Sequence, residues 1–328
     1  MNILLINVDS RFNLAIRRMY NFFNNKGYRV VMKDLGYTGY QSKRHDKITI
    51  DAKEYDKVYV SNIFDINAYV VDVINCKDVI YGGIGSRNPD LKLPEDIEHT
   101  DPYYYPDEDT SYGFITRGCI RKCWFCKVPK HEGCLKFYNS VDSIIKHKKV
   151  KFLDNNILAY DKHMDVFKYL IERNIRCEFN QGLDFRLAND ENLEALSKLN
   201  YMGEYIFAFD DPKYQPLLDE KIILIKKYIP KPWKVKFYIY CNADMDLHGM
   251  ITRTEWCREH EVLPYIMRDI NCYSSEYKYF FTDWASYCNQ PGFFKKMGFL
   301  DFLSIRHKNK GRIEYSSRMY RDTMGGKL

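Results

Sequence analysis

Cys119, Cys123 and Cys126 stand in the run Arg117-Gly118-Cys119-Ile120-Arg121-Lys122-Cys123-Trp124-Phe125-Cys126, a CxxxCxxC spacing. Thiolates are soft ligands suited to zinc or iron–sulfur clusters. A four-iron cube held by three of them keeps one iron open to a ligand from outside the protein. A closed zinc site takes four ligands, commonly as two Cys or His pairs; the nearby candidates for a fourth are His131 and Cys134, with no partner pair. Free cysteines are often merely small buried hydrophobes. Here Arg117, Arg121, Lys122 and Lys127 flank the three thiols, and cationic neighbours favour thiolates. The spacing therefore favours the open cluster over zinc.

The elements that must position this loop read as two runs of alternating strand and helix. In the first, Asn2 to Asn7 reads as a strand and Phe12 to Asn25 as a helix ended by Gly27. Strands follow at Tyr28 to Met32, Lys57 to Ser61 and Val79 to Tyr81, with a helical stretch at Ala68 to Ile74. This alternation predicts an α/β fold with an N-terminal doubly wound parallel sheet over residues 1–90. Its strand ends, Asn7-Val8-Asp9-Ser10, Ser61-Asn62 and Gly82-Gly83-Ile84-Gly85-Ser86, are where such sheets bind ligands, although a tight turn explains the glycines as well. A Pro- and acid-rich linker, 91–109, is expected next. Strands then recur at Tyr112 to Thr116, Val150 to Asp154, Cys177 to Gln181, Tyr205 to Asp210, Val235 to Asn242 and Val262 to Met267. Residues 110–270 thus predict a partial (β/α)6 barrel, with its chemistry at the carboxyl ends of the strands. The extension 271–328 is rich in aromatics expected to pack, and its basic stretch from Arg306 to Arg312 reads as solvated surface.

Composition limits the function classes. The chain has 328 residues, 45% of them hydrophobic, without a window resembling a membrane span, and its first residues read as a strand and not as a signal peptide. Ten cysteines without a regular framework predict reduced thiols and a cytoplasmic location. A net charge of +6, from 50 basic and 44 acidic residues, is a mild surplus that does not by itself indicate nucleic acid. Cys76, Cys134, Cys177, Cys241, Cys257, Cys272 and Cys288 read as structural thiols; a second cluster from Cys257, Cys272 and Cys288 has undiagnostic spacing.

The run Tyr112-Gly113-Phe114-Ile115-Thr116-Arg117-Gly118-Cys119 through Cys126, then Val128-Pro129 and Glu132-Gly133, resembles the first strand and cluster loop of radical S-adenosylmethionine (SAM) enzymes. Phe179-Asn180-Gln181-Gly182-Leu183-Asp184, with Arg186, and Phe207-Ala208-Phe209-Asp210-Asp211-Pro212 resemble later strand ends of that superfamily. The likeness is nearest to members with a cobalamin-binding-like front domain and to the methylthiotransferases. It implies a 4Fe-4S cluster on Cys119, Cys123 and Cys126, SAM on the open iron, and an electron donor such as flavodoxin or ferredoxin. It also implies that Phe125 packs near the adenine.

The family's Gly-Gly-Glu motif after the second strand is absent; Asp154-Asn155-Asn156 stands there, where side-chain carbonyls could accept from an ammonium group or simply make a turn. Gln181, Asp184, Arg186 and Asp210 are the remaining candidates for SAM or substrate, with Arg186 able to pair with the SAM carboxylate or with Asp184. Asp211-Pro212 equally suits a helix start. Cobalamin is possible but less expected, because Asp9-Ser10-Arg11-Phe12 carries no histidine for its lower face.

The reaction implied is reductive cleavage of SAM to a 5'-deoxyadenosyl radical acting on an unknown substrate. The alternatives are a cobalamin-dependent methyltransferase, a tRNA methylthiotransferase-like enzyme, whose second cysteine trio is missing since the front domain has only Cys76, and a non-catalytic zinc module that binds nucleic acid.

Overall fold

The computed structural model describes residues 1–10, 12–36 and 47–325; Arg11, in the stretch without a histidine, lies outside them. The chain is mixed α/β with several parallel sheets and divides into two compact units between Tyr112 and Gly113.

In the first unit the elements are β1 (Asn2–Asn7), α1 (Leu14–Asn25), β2 (Arg29–Asp34), β3 (Ile48–Asp51), β4 (Lys57–Ser61), β5 (Val71–Ile74), β6 (Val79–Gly82) and α2 (Glu95–Glu98). β1, β2, β4 and β6 form a parallel sheet in the order β2-β1-β4-β6. The pleat of β1 sends Ile3 and Leu5 to one face, where they pack with Ile16, Met19 and Phe23 of α1. Each such side chain contributes about 1.5–3 kcal/mol by burial. Leu4, Ile6 and Val8 face the other way, into a cluster with Ile50, Val70 and Val71.

That second face corrects the sequence reading. Ala68 to Ile74 is not helical: a short 3-10 turn at Asp65–Asn67 precedes strand β5, which pairs in parallel with β3. Among the described residues a two-stranded sheet therefore covers this face in place of a crossover helix. The segment expected as a linker also packs: Ile97 of α2 joins the core under α1, and Arg17 grips Glu108 through both terminal nitrogens at 2.7 and 2.9 Å.

The next strand, β7 (Thr110–Gly113), runs across the division, and in the second unit β8 (Thr116–Arg117), α3 (Val128–His131), β9 (Lys136–Phe137), α4 (Val141–Ile144), β10 (Lys149–Phe152), α5 (His163–Glu172), β11 (Arg176–Phe179), α6 (Asp190–Lys198), β12 (Asn200–Tyr201), β13 (Tyr205–Ala208), α7 (Gln215–Tyr228), β14 (Val235–Cys241), α8 (Leu247–Glu259) and β15 (Leu263–Arg268) follow in order. β10 pairs in parallel with β11, and the Leu153 N–H donates to the Gly113 carbonyl at 2.8 Å. β13, β14 and β15 form a second parallel sheet. An isolated parallel bridge, Leu183 to Phe207, links the two, so the long strands adjoin in the order in which they occur in the chain.

Apolar positions on β10, β11, β13 and β14 meet those of α5 to α8 in one core. Of the last helices, α9 (Lys278–Cys288), α10 (Pro291–Phe294) and α11 (Phe299–Arg306) belong to the same core through Phe280, Phe281, Trp284, Tyr287, Phe294 and Phe302, and α12 (Lys310–Thr323) packs against it through Ile313 and Tyr320. The aromatic extension packs, as its spacing suggested. No helix among the described residues is long and apolar enough to cross a membrane.

Candidate functional site

The cysteine segment is a loop tied at its stem. β8 and β9 pair antiparallel across it, Thr116 opposite Phe137 and Arg117 opposite Lys136. Glu132 is the main fastening. Its carboxylate accepts from Arg117 at 3.0 and 2.8 Å, from the Gly118 N–H at 2.9 Å and from the Asn155 amide at 2.8 Å. Bidentate pairs of this kind fix geometry as well as charge. Gly118 has φ +81, and a Cβ there would stand 2.2 Å from the Cys134 carbonyl oxygen. Gly118→Ala should cost about 2–3 kcal/mol from backbone strain, read as a drop in melting temperature, and should release the loop to limited proteolysis.

Cys119, Cys123 and Cys126 are half-buried free thiols on this loop. The Arg121 N–H donates to the Cys119 sulfur at 3.4 Å, and the Cys126 N–H closes a turn on the Cys123 carbonyl. Burial pushes the Cys123 and Cys126 thiols up, and each is raised further by its neighbouring thiols. The cation acting on Cys123 is Arg186, from another loop. The flanking arginines expected to favour thiolates are engaged elsewhere: Arg117 on Glu132 and Arg121 on Asp184. Among the described residues no group of three or more His, Cys, Asp or Glu is arranged to hold a metal ion.

The strand-end candidates have distinct surroundings. Asp154, just past β10, is buried beneath the start of the loop and accepts from the Ile115 N–H, the Thr116 N–H and the Thr116 hydroxyl at 2.6–3.1 Å. Burial pushes its carboxyl up to about 6 against those donors. It therefore anchors the strand that feeds the cysteines. Asn155 serves the Glu132 fastening. Asn156 is buried and donates to Asp184 at 3.4 Å, while its side-chain carbonyl oxygen has no partner. Such a group costs about 1–3 kcal/mol unless something donates to it.

Asp184 takes Arg186 at 2.5 and 3.0 Å and Arg121 at 2.8 Å. Burial alone would raise it, but the two guanidinium groups hold its carboxyl below the usual range. Of the two pairings open to Arg186, the one with Asp184 is present, and its guanidinium also lies 4.9 Å from the Tyr214 ring. Gln181 is exposed. Asp211 caps the 3-10 turn Pro212–Tyr214 that leads into α7, which is the helix-start role of Asp211-Pro212.

Asp210 accepts from the Tyr240 N–H at 2.9 Å, and burial pushes its carboxyl up to about 6. Beneath it lies Arg253 of α8, fully buried, which donates to the carbonyls of Phe209 and Tyr240 at 2.8 and 3.2 Å and so holds two strand ends in register. Phe125 stacks on Tyr240 with centroids 4.1 Å apart and planes 12° from parallel, and the Tyr240 hydroxyl donates to Asp269 at 2.7 Å.

Sequence reasoning missed Glu132, Tyr240 and Arg253 as parts of the site. Glu132 had a signal in its place within the loop motif; Arg253 sits mid-helix and had none.

Five of the remaining cysteines, Cys177, Cys241, Cys257, Cys272 and Cys288, are buried as structural thiols, whereas Cys76 is half-buried and Cys134 exposed. In the first unit the strand-end glycines serve a turn. A Cβ on Gly83 or Gly85 would meet the Asn62 or Ile63 carbonyl oxygen at 2.3 or 2.5 Å, and Asp9 is already taken by the N–H groups of Ile63 and Phe64 and by Asn67. These residues are engaged with one another. No protein-family model matches this chain, and no curated protein matches it.

Proposed function

We propose that the chain is a radical SAM enzyme whose second unit is a partial six-stranded barrel. The observation that carries this reading is the CxxxCxxC loop, which stands in the chain just ahead of the parallel strands β10, β11, β13, β14 and β15, and these adjoin in sequence order. Enzymes built on such strands gather their chemistry at the carboxyl ends.

The residues suit the cofactors. Three free thiols at CxxxCxxC spacing would supply, by number and spacing, three corners of a cube with one open iron. The unpartnered Asn156 carbonyl oxygen, two residues past Asp154, suits an ammonium donor where the family uses an acid. When bound, the cluster and SAM supply the electron and the 5'-deoxyadenosyl radical that draws hydrogen from a substrate. The protein supplies position. Glu132 and Asp154 hold the two ends of the loop's entry, Arg253 holds the facing strand ends, and the Phe125–Tyr240 stack offers a flat apolar wall beside the thiols. Asp210, its carboxyl pushed up by burial to about 6, offers a group that can take up or give a proton at that wall.

Anaerobic reconstitution with iron and sulfide tests the reading. The expected result is a brown protein that, with dithionite and SAM, yields methionine and 5'-deoxyadenosine. A colourless protein with about one zinc per chain would overturn it.

A further inference from the structure

The charge of the chain is not evenly placed. Between Arg117 and Lys151 stand ten lysines and arginines against Glu132 and Asp142 alone, a local net of +8 in a chain whose total is +6. The cysteine loop lies within this segment. Cations there would be explained if they served the thiols, but Arg117 and Arg121 are paired with Glu132 and Asp184. Lys122, Lys130 and Lys136 are exposed and form no ion pair among the described residues.

Large apolar side chains are exposed beside these lysines in the chain. Trp124 is 72% exposed, Phe137 57% and Ile120 47%. Neither ring is loose. Trp124 is met edge-on by Phe125 and Tyr240, each with centroids 5.7 Å away, and Phe137 stacks against Tyr160 at 6.2 Å. A protein-docking patch concentrates apolar groups at a centre depleted of charge. Here each ring has a lysine one or two residues away, Lys122 beside Trp124 and Lys136 beside Phe137. Alternating rings and cations match alternating bases and phosphates, and rings on a loop reach bases that are already unpaired.

We propose that the cysteine loop is the docking surface for a single-stranded nucleic acid, with Trp124 and Phe137 stacking on bases and Lys122, Lys130 and Lys136 meeting phosphates. This rests on the radical SAM reading only in identifying the bound strand as the substrate.

The test is fluorescence anisotropy of labelled U20 RNA with the full chain, before and after cluster reconstitution, between 50 and 200 mM KCl. Binding on the order of 1 µM at the lowest salt is expected, within the range of sequence-independent affinities. Trp124→Ala and Phe137→Ala should each weaken it about tenfold, and Trp124→Phe should restore most of the loss. Replacing the three lysines with alanine should reduce the salt slope by about two, near 0.7 per phosphate. Labelled dT20 shows whether the ribose hydroxyl matters. Absence of binding to both strands overturns the proposal, as do ring variants that bind like the native chain or competition by polyglutamate equal to that by U20. The last result would make the loop a surface for an acidic protein. Strand binding without SAM cleavage leaves this proposal standing and removes the enzymatic reading; cleavage without strand binding does the reverse.

Discussion

Cys123→Ala, reconstituted anaerobically, is expected to lack the brown chromophore and to cleave SAM at least about a thousandfold more slowly, a barrier increase of about 4 kcal/mol. A cube left with two protein thiolates loses a tether and with it the fixed position of its open corner. The informative comparison is Cys134→Ala. Cys134 lies in the same loop, exposed, with its backbone carbonyl close against Gly118. A three-thiolate cluster predicts that this variant keeps its colour and rate. A closed four-ligand zinc site that includes Cys134 predicts that both variants lose metal alike, which would sink the cluster reading.

Asp283→Asn is expected to destabilise the second unit by about 3 kcal/mol, the usual cost of removing one partner from a buried ion pair. For a unit of this size the melting temperature should fall by about 6–12 °C. Asp283 is 1% exposed beneath α12 and collects Arg312 at 2.8 and 2.9 Å, the Ser316 hydroxyl at 2.7 Å and His307 at 2.8 Å. Asparagine keeps the shape but leaves the Arg312 guanidinium without its counter-charge.

The pH dependence follows in sign. Burial would raise the Asp283 carboxyl, but Arg312, Ser316 and His307 hold it below 3.8. Its contribution is therefore present above that value and lost as pH falls through the lowered one. Melting curves between pH 2 and 7 should show a shallower acid limb in the variant, with tryptic cleavage first at α12. An unchanged acid limb, or a loss under 1 kcal/mol, would count against this fastening.

The strands were legible where apolar runs are bounded by turns, as at Asn2–Asn7 and Lys57–Ser61. Ala68 to Ile74 misled because Val70, Val71, Val73 and Ile74 suit either period in so short a stretch. Its partner β3 lies about twenty residues earlier, and pairing at that separation leaves no local trace. At the site, the cysteines and the polar strand ends were visible as residue types, but their duties were not. Asp154 stood as a candidate or a turn residue, and its carboxylate accepts from backbone N–H groups, because a carboxylate just past a strand can turn inward as readily as outward. The charge around the loop was counted over the whole chain, where distant acidic residues mask it.

The serial adjacency of the long strands has a consequence for synthesis. Each strand finds its neighbour just before it in the nascent polypeptide, so assembly can proceed from the ribosome outward without waiting for distant segments. The cysteines emerge about 140 residues ahead of β15, on the order of ten seconds at ordinary translation speed. For that interval the thiols face dissolved oxidants before the final strand is in place, which makes anaerobic expression a condition for recovering them reduced.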